Sequence, residues 1–359
     1  MKLAIFLPNW IGDTCMAIPA LRALQAGISR HVRLVGIARP GPAALLQHQN
    51  LLDDVIIYQP RARAPTLNRR QLISRLRREK METAVLLPNS FSSAMLAFLA
   101  GIPRRIGFAR DRRSWLLTDR LHVPASRGRP IPIPAIDYYL KLAEHLGCPS
   151  VDRHMSLKLR REDEALASLL WDRVGFSSNL PTVVINNNAA TSPTRLWPED
   201  RVLQLAKKLV RHPEIQVLLH CGPRERAMAE QLVQRASHPR IQSMGILDEL
   251  PLGLSFAVLA KAAAIVSTDS GARSLAVAMD RPVVSLFGPT KPEWTLTYNQ
   301  PEIMLRPDAP CPSCRKSPTS KNNAGRDCAC LERISVDQVY LATLAQLNAQ
   351  HRKSERLAA

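Results

Sequence analysis

The sequence predicts an α/β protein built from two doubly wound parallel sheets, and three observations lead to that prediction. Short apolar runs rich in β-branched residues alternate with segments whose apolar residues recur at helical spacing. Such alternation favours parallel strands with helices on both faces. The same series starts again after a polar stretch near residues 155–180, and a chain of 359 residues is long enough for two domains.

The first half forms the predicted N-terminal domain, residues 1–170. Apolar runs predict its strands, and apolar residues three and four positions apart predict its helices. The predicted strands are 3–7, 32–37, 55–58 and 84–87. The predicted helices are 17–26, 67–78 and 135–146, and a loop-rich stretch at 125–134 precedes the last of them.

The second half forms the predicted C-terminal domain, residues 180–335. Its predicted strands are 182–186, 215–221, 265–267 and 283–287, and its predicted helices are 198–210, 225–236, 271–278 and 335–350. The C-terminal helix and tail, residues 336–359, are expected to pack back on the N-terminal domain. Doubly wound sheets bind ligands beyond the carboxyl ends of their strands, so two such domains predict a ligand cleft between facing sheet edges.

Composition narrows the function. Hydrophobic residues make up 46% of the chain, while Lys and Arg outnumber Asp and Glu by 49 to 30, a net charge of +19. This excess favours an anionic partner, which means a nucleic acid, an anionic membrane or a phosphorylated substrate. Aromatic residues are only 5% and no RNA-binding signature is present, so no nucleic acid partner is expected. No signal peptide or apolar run of membrane-spanning length is found, and a cytoplasmic location is expected.

Three stretches at predicted strand ends carry the groups that bind ligands, at residues 9–13, 186–197 and 267–271. In the first, the Asp13 carboxylate lies near a helix N-terminus, where a negative charge is stabilised; a plain helix cap is the alternative. In the third, Asp269, Ser270 and Gly271 open a helix whose N–H groups suit a diphosphate, and simple capping is again the alternative. In the second, Arg195 is either a phosphate clamp or a surface residue beside a core Trp.

The sequence does not favour a nicotinamide cofactor, a P-loop nucleotide site or a metalloprotease zinc site. No G-x-G-x-x-G follows the first strand, and no P-loop or H-E-x-x-H motif occurs. A cluster of cysteines remains, with the spacings C-x-x-C and C-x-C. Four thiolates can hold a structural zinc, although C-x-C is tight for a tetrahedral site, and a loop without metal is the alternative. The four are Cys311, Cys314, Cys328 and Cys330.

Four stretches in order resemble the ADP-heptose lipopolysaccharide heptosyltransferases, which are glycosyltransferase family 9 enzymes of the GT-B fold. The W-I-G-D turn at 10–13 resembles the family's opening strand and turn. The stretch VLLPNSFSSAMLAFLAGIPRRIGF at 85–108 is similar to heptosyltransferase II members. The stretches RLWPEDRVLQLAKKL at 195–209 and STDSGARSLAVAMDRPVVSLFGPTKPEWT at 267–295 resemble the phosphate-loop helix and the donor-site signature.

The resemblance implies an inverting transfer of heptose from ADP-heptose that requires no metal or other cofactor. Asp13 would be the general base for the acceptor hydroxyl. Arg195 would neutralise the departing diphosphate. The resemblance also implies further contacts to the donor and to the acceptor. The donor contacts would be Thr191, Glu225, Asp269, Ser270, Gly271 and Ser274, and the acceptor contacts Trp10, Gly12, Asn89, Ser90, Arg104, Arg105 and Arg110.

The implied acceptor is the inner core of lipopolysaccharide, which carries phosphates and acidic sugars at the inner-membrane surface. Peripheral association with that membrane is therefore expected. The second inner-core heptose is the favoured product, as for heptosyltransferase II. Two departures from the family pattern, Ser274 in place of His and Asn187-Asn188 in place of Pro-Gly, keep a different nucleotide sugar or acceptor open. A non-enzymatic lipid- or nucleic-acid-binding protein is the third hypothesis.

Overall fold

The computed structural model describes residues 1–61, 66–126, 129–149, 152–188, 193–298, 300–309, 311–312 and 328–358. The chain divides into two compact units, which are described one at a time. Unit 1 contains Met1–Met155 and Glu293–Tyr298. Unit 2 contains Ser156–Pro292 and Asn299–Ala359.

Unit 1 is a six-stranded sheet in the order β3-β2-β1-β4-β5-β6, with every neighbouring pair parallel. Its central strands read as continuous apolar runs because helices cover both faces. A short antiparallel pair, β7 and β8, precedes the last helix. The strands are β1 Lys2–Phe6, β2 Arg33–Ala38, β3 Asp54–Ile57, β4 Thr83–Leu86, β5 Arg104–Phe108, β6 Asp119–Leu121, β7 Ala125–Ser126 and β8 Arg129–Pro130. The helices are α1 Ile11–Gly27, α2 Pro40–Leu46, α3 Arg69–Arg78, α4 Phe91–Leu99 and α5 Ala135–His145.

Unit 2 repeats this arrangement in the order β11-β10-β9-β12-β13-β14, again all parallel. The strands are β9 Thr182–Asn186, β10 Gln216–His220, β11 Ile241–Ser243, β12 Ala264–Thr268, β13 Val283–Leu286 and β14 Glu302–Leu305. The helices are α6 Arg161–Val174, α7 Glu199–Leu209, α8 Arg226–Ala236, α9 Leu252–Lys261, α10 Gly271–Ala278 and α11 Val336–Ala358.

The strand order reverses at the middle of each sheet. The reversal lies between β1 and β4 in unit 1, and between β9 and β12 in unit 2. The crevice beyond the carboxyl ends of such a strand pair is where doubly wound sheets bind ligands. The two predicted doubly wound sheets are therefore confirmed, and each has its own candidate binding edge.

Several elements differ from the sequence prediction. Helix α1 begins at Ile11, so Gly12 and Asp13 lie inside its first turn. The helix-cap alternative for Asp13 is wrong, because Trp10 occupies the cap position and makes no side-chain cap bond. The basic stretch at 104–108 is a strand, β5, with its last three residues buried. The prediction also missed the helices α2, α4, α6 and α9 and the strands β6, β7, β8, β11 and β14.

The C-terminal helix α11 contacts α7 and the strands β12, β13 and β14, all within unit 2. Its buried Gln346 amide donates to the Val283 carbonyl at 3.1 Å and so ties the helix to the end of the sheet. Helix α6, which lies in the predicted N-terminal half, belongs to unit 2 and packs on α9. Among the described residues, no helix is both long enough and apolar enough to cross a membrane.

Candidate active site

Asp13 lies at the carboxyl end of β1, in the first turn of α1. The turn is fixed by Thr14, whose backbone N–H and hydroxyl both donate to the Trp10 carbonyl, at 3.0 and 2.8 Å. Burial, followed by the Asp13 charge, raises the pKa of Tyr139 on α5 well above its ordinary value. Tyr139 therefore stays protonated beside a carboxylate that the helix N-terminus favours in its charged form. Asp13 is partly exposed, and Trp10 beside it is 57% exposed.

Asn89 and Ser90 lie at the carboxyl end of β4, the strand next to β1. The Asn89 side-chain oxygen accepts hydrogen bonds from the buried Arg113 guanidinium at 3.0 Å and from the Tyr138 hydroxyl at 2.8 Å. Two donors on the oxygen fix the amide orientation, so its NH₂ group is the one that can bind a ligand. Ser90 instead caps α4 by accepting the Ser93 N–H at 3.1 Å.

Arg113 and Tyr138 form the support beneath this edge. The sequence prediction placed Arg113 among the basic residues drawn to the acidic acceptor, which is wrong because its side chain is fully buried, and it gave Tyr138 no role. Arg113 also donates to the Phe108 carbonyl at 3.1 Å, while the Tyr138 ring stacks on Phe108 with centroids 3.8 Å apart. Burial raises the pKa of Tyr138 to about 12. The buried Arg113 guanidinium and the neutral Tyr138 hydroxyl therefore hold the Asn89 side chain in one position.

The predicted acceptor arginines fall into two groups. Arg110 follows β5 at its carboxyl end and interacts with Tyr138, so it belongs to the same edge as Asp13. Arg104 and Arg105 lie at the amino end of β5, which is the opposite edge of the sheet. Arg104 donates to Asp119 at 2.8 and 3.0 Å, which lowers the pKa of that carboxyl to about 2.

Arg105 donates to the Leu116 carbonyl at 2.7 Å and to the Ile102 carbonyl at 2.5 Å. The structure thus does not bring Arg104 or Arg105 to the Asp13 edge. It brings Arg39 there, which sequence reasoning missed. Arg39 follows β2, donates to the Asn9 side-chain oxygen at 3.2 Å and lies over the Tyr58 ring at 4.8 Å.

In unit 2, Asn186 joins the ends of three strands. Its buried amide nitrogen donates to the Ser267 and Ser270 hydroxyls, both at 2.9 Å, and its oxygen contacts His220 Nδ1 at 3.0 Å. Ser270 is the cap residue of α10 but makes no side-chain cap bond. The capping role considered for Ser270 is therefore wrong, and its hydroxyl is used to fix the loop before the helix. The N–H groups of the first turn, starting at Gly271, have no intrahelical acceptor.

His220 ends β10 inside this network, and only 8% of it is exposed. Burial lowers its pKa to about 4, so the ring is neutral at physiological pH. The Asn186 amide nitrogen already donates to two serines, so its oxygen is the group that faces His220 and Nδ1 carries the proton. Within the described part of the chain, Nε2 has no hydrogen-bond partner. In this tautomer Nε2 is a buried acceptor.

Asp269 is paired with a buried arginine that belongs to a cluster of ionic side chains. Its carboxylate lies 3.5 Å from the Arg273 guanidinium, which is fully buried. Arg273 also binds Glu302 on β14 through two contacts, at 2.5 and 2.9 Å. The guanidinium lies over the Phe287 ring at 4.7 Å. This arrangement orients Asp269 at the mouth of the α10 turn, and Ser274 is buried in the same helix.

The loop with Arg195 is anchored by a side-chain amide that imitates a backbone pair. Asn187 donates to the Trp197 carbonyl and accepts the Trp197 N–H, both at 2.8 Å. Arg195 is partly exposed on a short 3₁₀ turn just before this anchor. Thr191, predicted in the same loop, lies outside the described residues. Glu225 lies after β10, and its carboxylate accepts the Gly222 N–H at 3.1 Å.

Three of the four cysteines come together. The sulfur atoms of Cys311, Cys328 and Cys330 all lie within 4.8 Å of one another, and Cys311 and Cys328 are 3.9 Å apart. Cys314 lies outside the described residues. Tetrahedral thiolates around zinc are separated by roughly 3.8 Å, so the described trio is compatible with a structural zinc. The zinc and the metal-free interpretations both stay predictions.

Two separate groups of predicted residues are therefore gathered at carboxyl strand ends. One is Trp10, Gly12, Asp13, Asn89, Ser90 and Arg110 in unit 1. The other is Arg195, Glu225, Asp269, Ser270, Gly271 and Ser274 in unit 2. A carboxylate, amides and an arginine in the first suit a hydroxyl-bearing acceptor, while the helix N-terminus and arginine in the second suit a diphosphate.

Comparison with known proteins agrees with this chemistry. The sequence profile of glycosyltransferase family 9 (heptosyltransferase) matches residues 69–324, so the chain belongs to that family of enzymes. Lipopolysaccharide heptosyltransferase 2 of Escherichia coli K12 is 28% identical over 312 residues, which are 85% of this chain and 88% of that protein. Lipopolysaccharide heptosyltransferase 1 of Pseudomonas aeruginosa is 33% identical over 129 residues, 36% of this chain and 35% of the relative.

Among solved structures, the E. coli ADP-heptose lipopolysaccharide heptosyltransferase II matches with a TM-score of 0.77. The match covers 98% of this chain and 100% of that chain at 23% identity, and it supports the fold. The expected GT-B architecture, with two Rossmann-like domains, is thereby confirmed.

Proposed function

We propose that this glycosyltransferase moves heptose from ADP-L-glycero-D-manno-heptose to the inner-core heptose of lipopolysaccharide, the reaction type of heptosyltransferase II. The observation that carries the proposal is the 28% identity to the E. coli lipopolysaccharide heptosyltransferase 2 across 85% of this chain. The chemistry at the two strand-end edges supports it.

In the proposed reaction, the Asp13 carboxylate takes the proton from an acceptor hydroxyl as that oxygen attacks the anomeric carbon of the donor. The new C–O bond forms as the bond from the sugar to the diphosphate breaks. The electron pair of that bond leaves with ADP, and the configuration at the anomeric carbon inverts. Asp13 is suited to the role by its partial exposure and its place in a helix first turn.

Unit 2 is proposed to hold the donor. The N–H groups that open α10 and the Arg195 guanidinium would stabilise the charge that develops on the diphosphate, with no metal required. Glu225 is proposed to bind the ribose, Asp269 and Ser270 to shape the phosphate turn, and Ser274 to line the sugar subsite. Thr191 keeps its proposed donor contact from the same loop.

Unit 1 is proposed to hold the acceptor through Trp10, Gly12, Asn89, Ser90 and Arg110. The Asn89 NH₂ group and the Arg110 guanidinium suit hydroxyl and phosphate groups of a sugar acceptor. The proposal places the enzyme in the cytoplasm at the inner-membrane surface, supported by the net charge of +19. An electrostatic attraction of this kind weakens with salt.

A second candidate is a family 9 transferase that acts at a different core position. The similarity to heptosyltransferase 1 of P. aeruginosa, at 33% identity over 129 residues, favours it. The buried Ser274 and the Asn187 anchor at the donor edge are the residues by which the donor would differ.

A donor and acceptor matrix tests both candidates. Purified protein is mixed with ADP-heptose, or with UDP- and GDP-sugars, and with Kdo-lipid A that carries one heptose or none. Mass spectrometry of the lipid product gives the result. We expect transfer only from ADP-heptose and only to the heptosylated acceptor. Transfer to the unheptosylated acceptor would favour heptosyltransferase I activity, and no ADP-heptose turnover would overturn the proposal.

A further inference from the structure

Helix α4 carries a row of large apolar side chains that face solvent. Phe91 and Phe98 stand at positions i and i+7 and so share one face of the helix, while Met95 between them is partly buried and packs against the unit 1 core. Phe91 is 43% exposed, Phe98 is 45% exposed, and Leu99 at the helix end is also exposed. Trp115 joins them at 59% exposure, with its ring centre 6.1 Å from Phe91 and 6.2 Å from Phe98. These four exposed residues, Phe91, Phe98, Leu99 and Trp115, are called the α4 ridge.

A contiguous apolar surface of this size needs an occupant. Single exposed apolar residues are ordinary, whereas clustered aromatic ones mark a contact surface. The opposite face of α4, with Ala94, Leu96 and Ala97, is already buried in the unit 1 core. The ridge therefore does not serve that core.

Arginines surround the ridge. The Arg105 guanidinium lies 5.5 Å from the centre of the Phe98 ring. Arg77 on α3 donates to the Leu99 carbonyl at 2.6 and 3.0 Å, and Arg112 is exposed in the loop before Trp115. The described acids nearby are the exposed Asp111 and the partly buried Asp119, and Asp119 is bound by Arg104 and His145. The rim of the ridge is thus mainly cationic.

We propose that the α4 ridge is the surface by which the protein docks on an anionic lipid bilayer. Aromatic side chains favour the interface between headgroups and acyl chains, and arginines on the rim can reach phosphate groups while their stems stay apolar. A protein partner would not require the same cationic rim, and a nucleic acid would leave the aliphatic part of the ridge without a contact.

One end of the ridge lies close to the proposed acceptor residues, so docking there would bring a lipid-linked acceptor near the site. Phe91 directly follows Ser90, at the carboxyl end of β4 where the Asp13 edge lies. A lipid-linked acceptor that enters at the Phe91 end of the ridge would therefore come close to the acceptor residues. This purpose rests on the proposed function, whereas the docking itself does not.

Flotation with vesicles that contain neither lipopolysaccharide nor nucleotide sugar tests the docking alone. The vesicles are phosphatidylcholine, with or without phosphatidylglycerol. The ridge variant is Phe98→Ser with Trp115→Ser, and its control is Leu169→Ser, which changes a 56% exposed apolar residue on α6. The charge variant is Arg77→Gln with Arg112→Gln, and its control is Arg161→Gln with Arg211→Gln at exposed positions. Thermal melting shows that each variant is folded.

We expect the wild type and both controls to float with anionic vesicles and to bind phosphatidylcholine weakly. Replacing two basic residues should weaken anionic binding about tenfold or more, since each contributes on the order of fivefold near such a surface. The ridge variant should lose at least as much. Equal binding by the folded ridge variant and the wild type would overturn the proposal, as would equal binding to both vesicle types. A folded ridge variant that keeps vesicle binding but loses a protein partner would also overturn it.

Discussion

The buried His220 should make the stability of unit 2 depend on pH in a defined window. In the folded chain its pKa is lowered to about 4 by burial, from an ordinary value of 6.5. Between these two values the unfolded chain binds a proton that the folded chain does not, so stability rises with pH there. Above the upper value the full stability is present, and it is progressively lost as pH falls toward the lower one.

The size of the effect follows from the same two pKa values. At about pH 5, the unfolded chain is protonated at this histidine and the folded chain is mostly not. This difference lowers the free energy of unfolding by about 2 kcal/mol relative to neutral pH. A His220→Gln variant removes this titration and keeps an N–H donor for the Asn186 oxygen, which His220 contacts at 3.0 Å in the wild type. The variant should therefore lack that part of the pH dependence.

The pH dependence of stability is measured by urea unfolding of the full chain at about pH 7.5 and at about pH 5, followed by tryptophan fluorescence. Trp171 and Trp197 are fully buried in unit 2, whereas in unit 1 Trp10 and Trp115 are exposed and Trp294 is only partly buried, so the signal change reports mainly unit 2. We expect the wild type to lose about 2 kcal/mol more than His220→Gln on acidification. The same pH dependence in both proteins would refute the neutral, buried imidazole.

Three further predictions concern the donor edge and its support. Replacing Arg273 with Met leaves Glu302, only 1% exposed, without its guanidinium partner, and urea unfolding should show a loss of about 3–5 kcal/mol; a loss under about 1 kcal/mol would contradict the ion cluster. Turnover is expected to be unchanged by EDTA, because Arg195 and the α10 N-terminus stabilise the charge on the diphosphate without a metal. If EDTA abolished turnover and added Mg²⁺ restored it, this prediction would be wrong. Arg195→Ala should lower kcat/KM by about 100-fold or more. Arg211→Ala is the matched control, and equal kinetics for the two variants would show that Arg195 does not act on the donor.

The sequence was sufficient for the regular parts of the fold. The apolar run at 182–186 and the pattern at 271–278 have the same bounds as β9 and α10. Prediction failed where local composition contradicts the final environment. Helix α2 contains two prolines and a glycine, and β5 begins with two arginines, so neither resembles its element in sequence.

The candidate site was predictable to the extent that its residues follow strands. Asp13 and Asp269 were found because each comes just after a buried strand and near a helix start. The supports beneath the site were missed, because nothing in the sequence marks Arg113, Arg273 or His220 as buried. Their burial depends on partners far along the chain, such as Glu302 for Arg273 and Asn89 for Arg113. His220 is the polar residue that ends the apolar run of β10, a position that indicates nearness to the site but not burial.

The central claim is that the Asp13 carboxylate accepts the proton of the acceptor hydroxyl, and one measurement tests it most directly. Single-turnover transfer of heptose by Asp13→Asn is compared with the wild type, with ADP-heptose binding measured on the same preparations. We expect the transfer rate to fall by a factor of about 100 to 10,000, typical of a lost general base, while donor affinity changes less than about threefold. Transfer by Asp13→Asn at the wild-type rate would contradict the account.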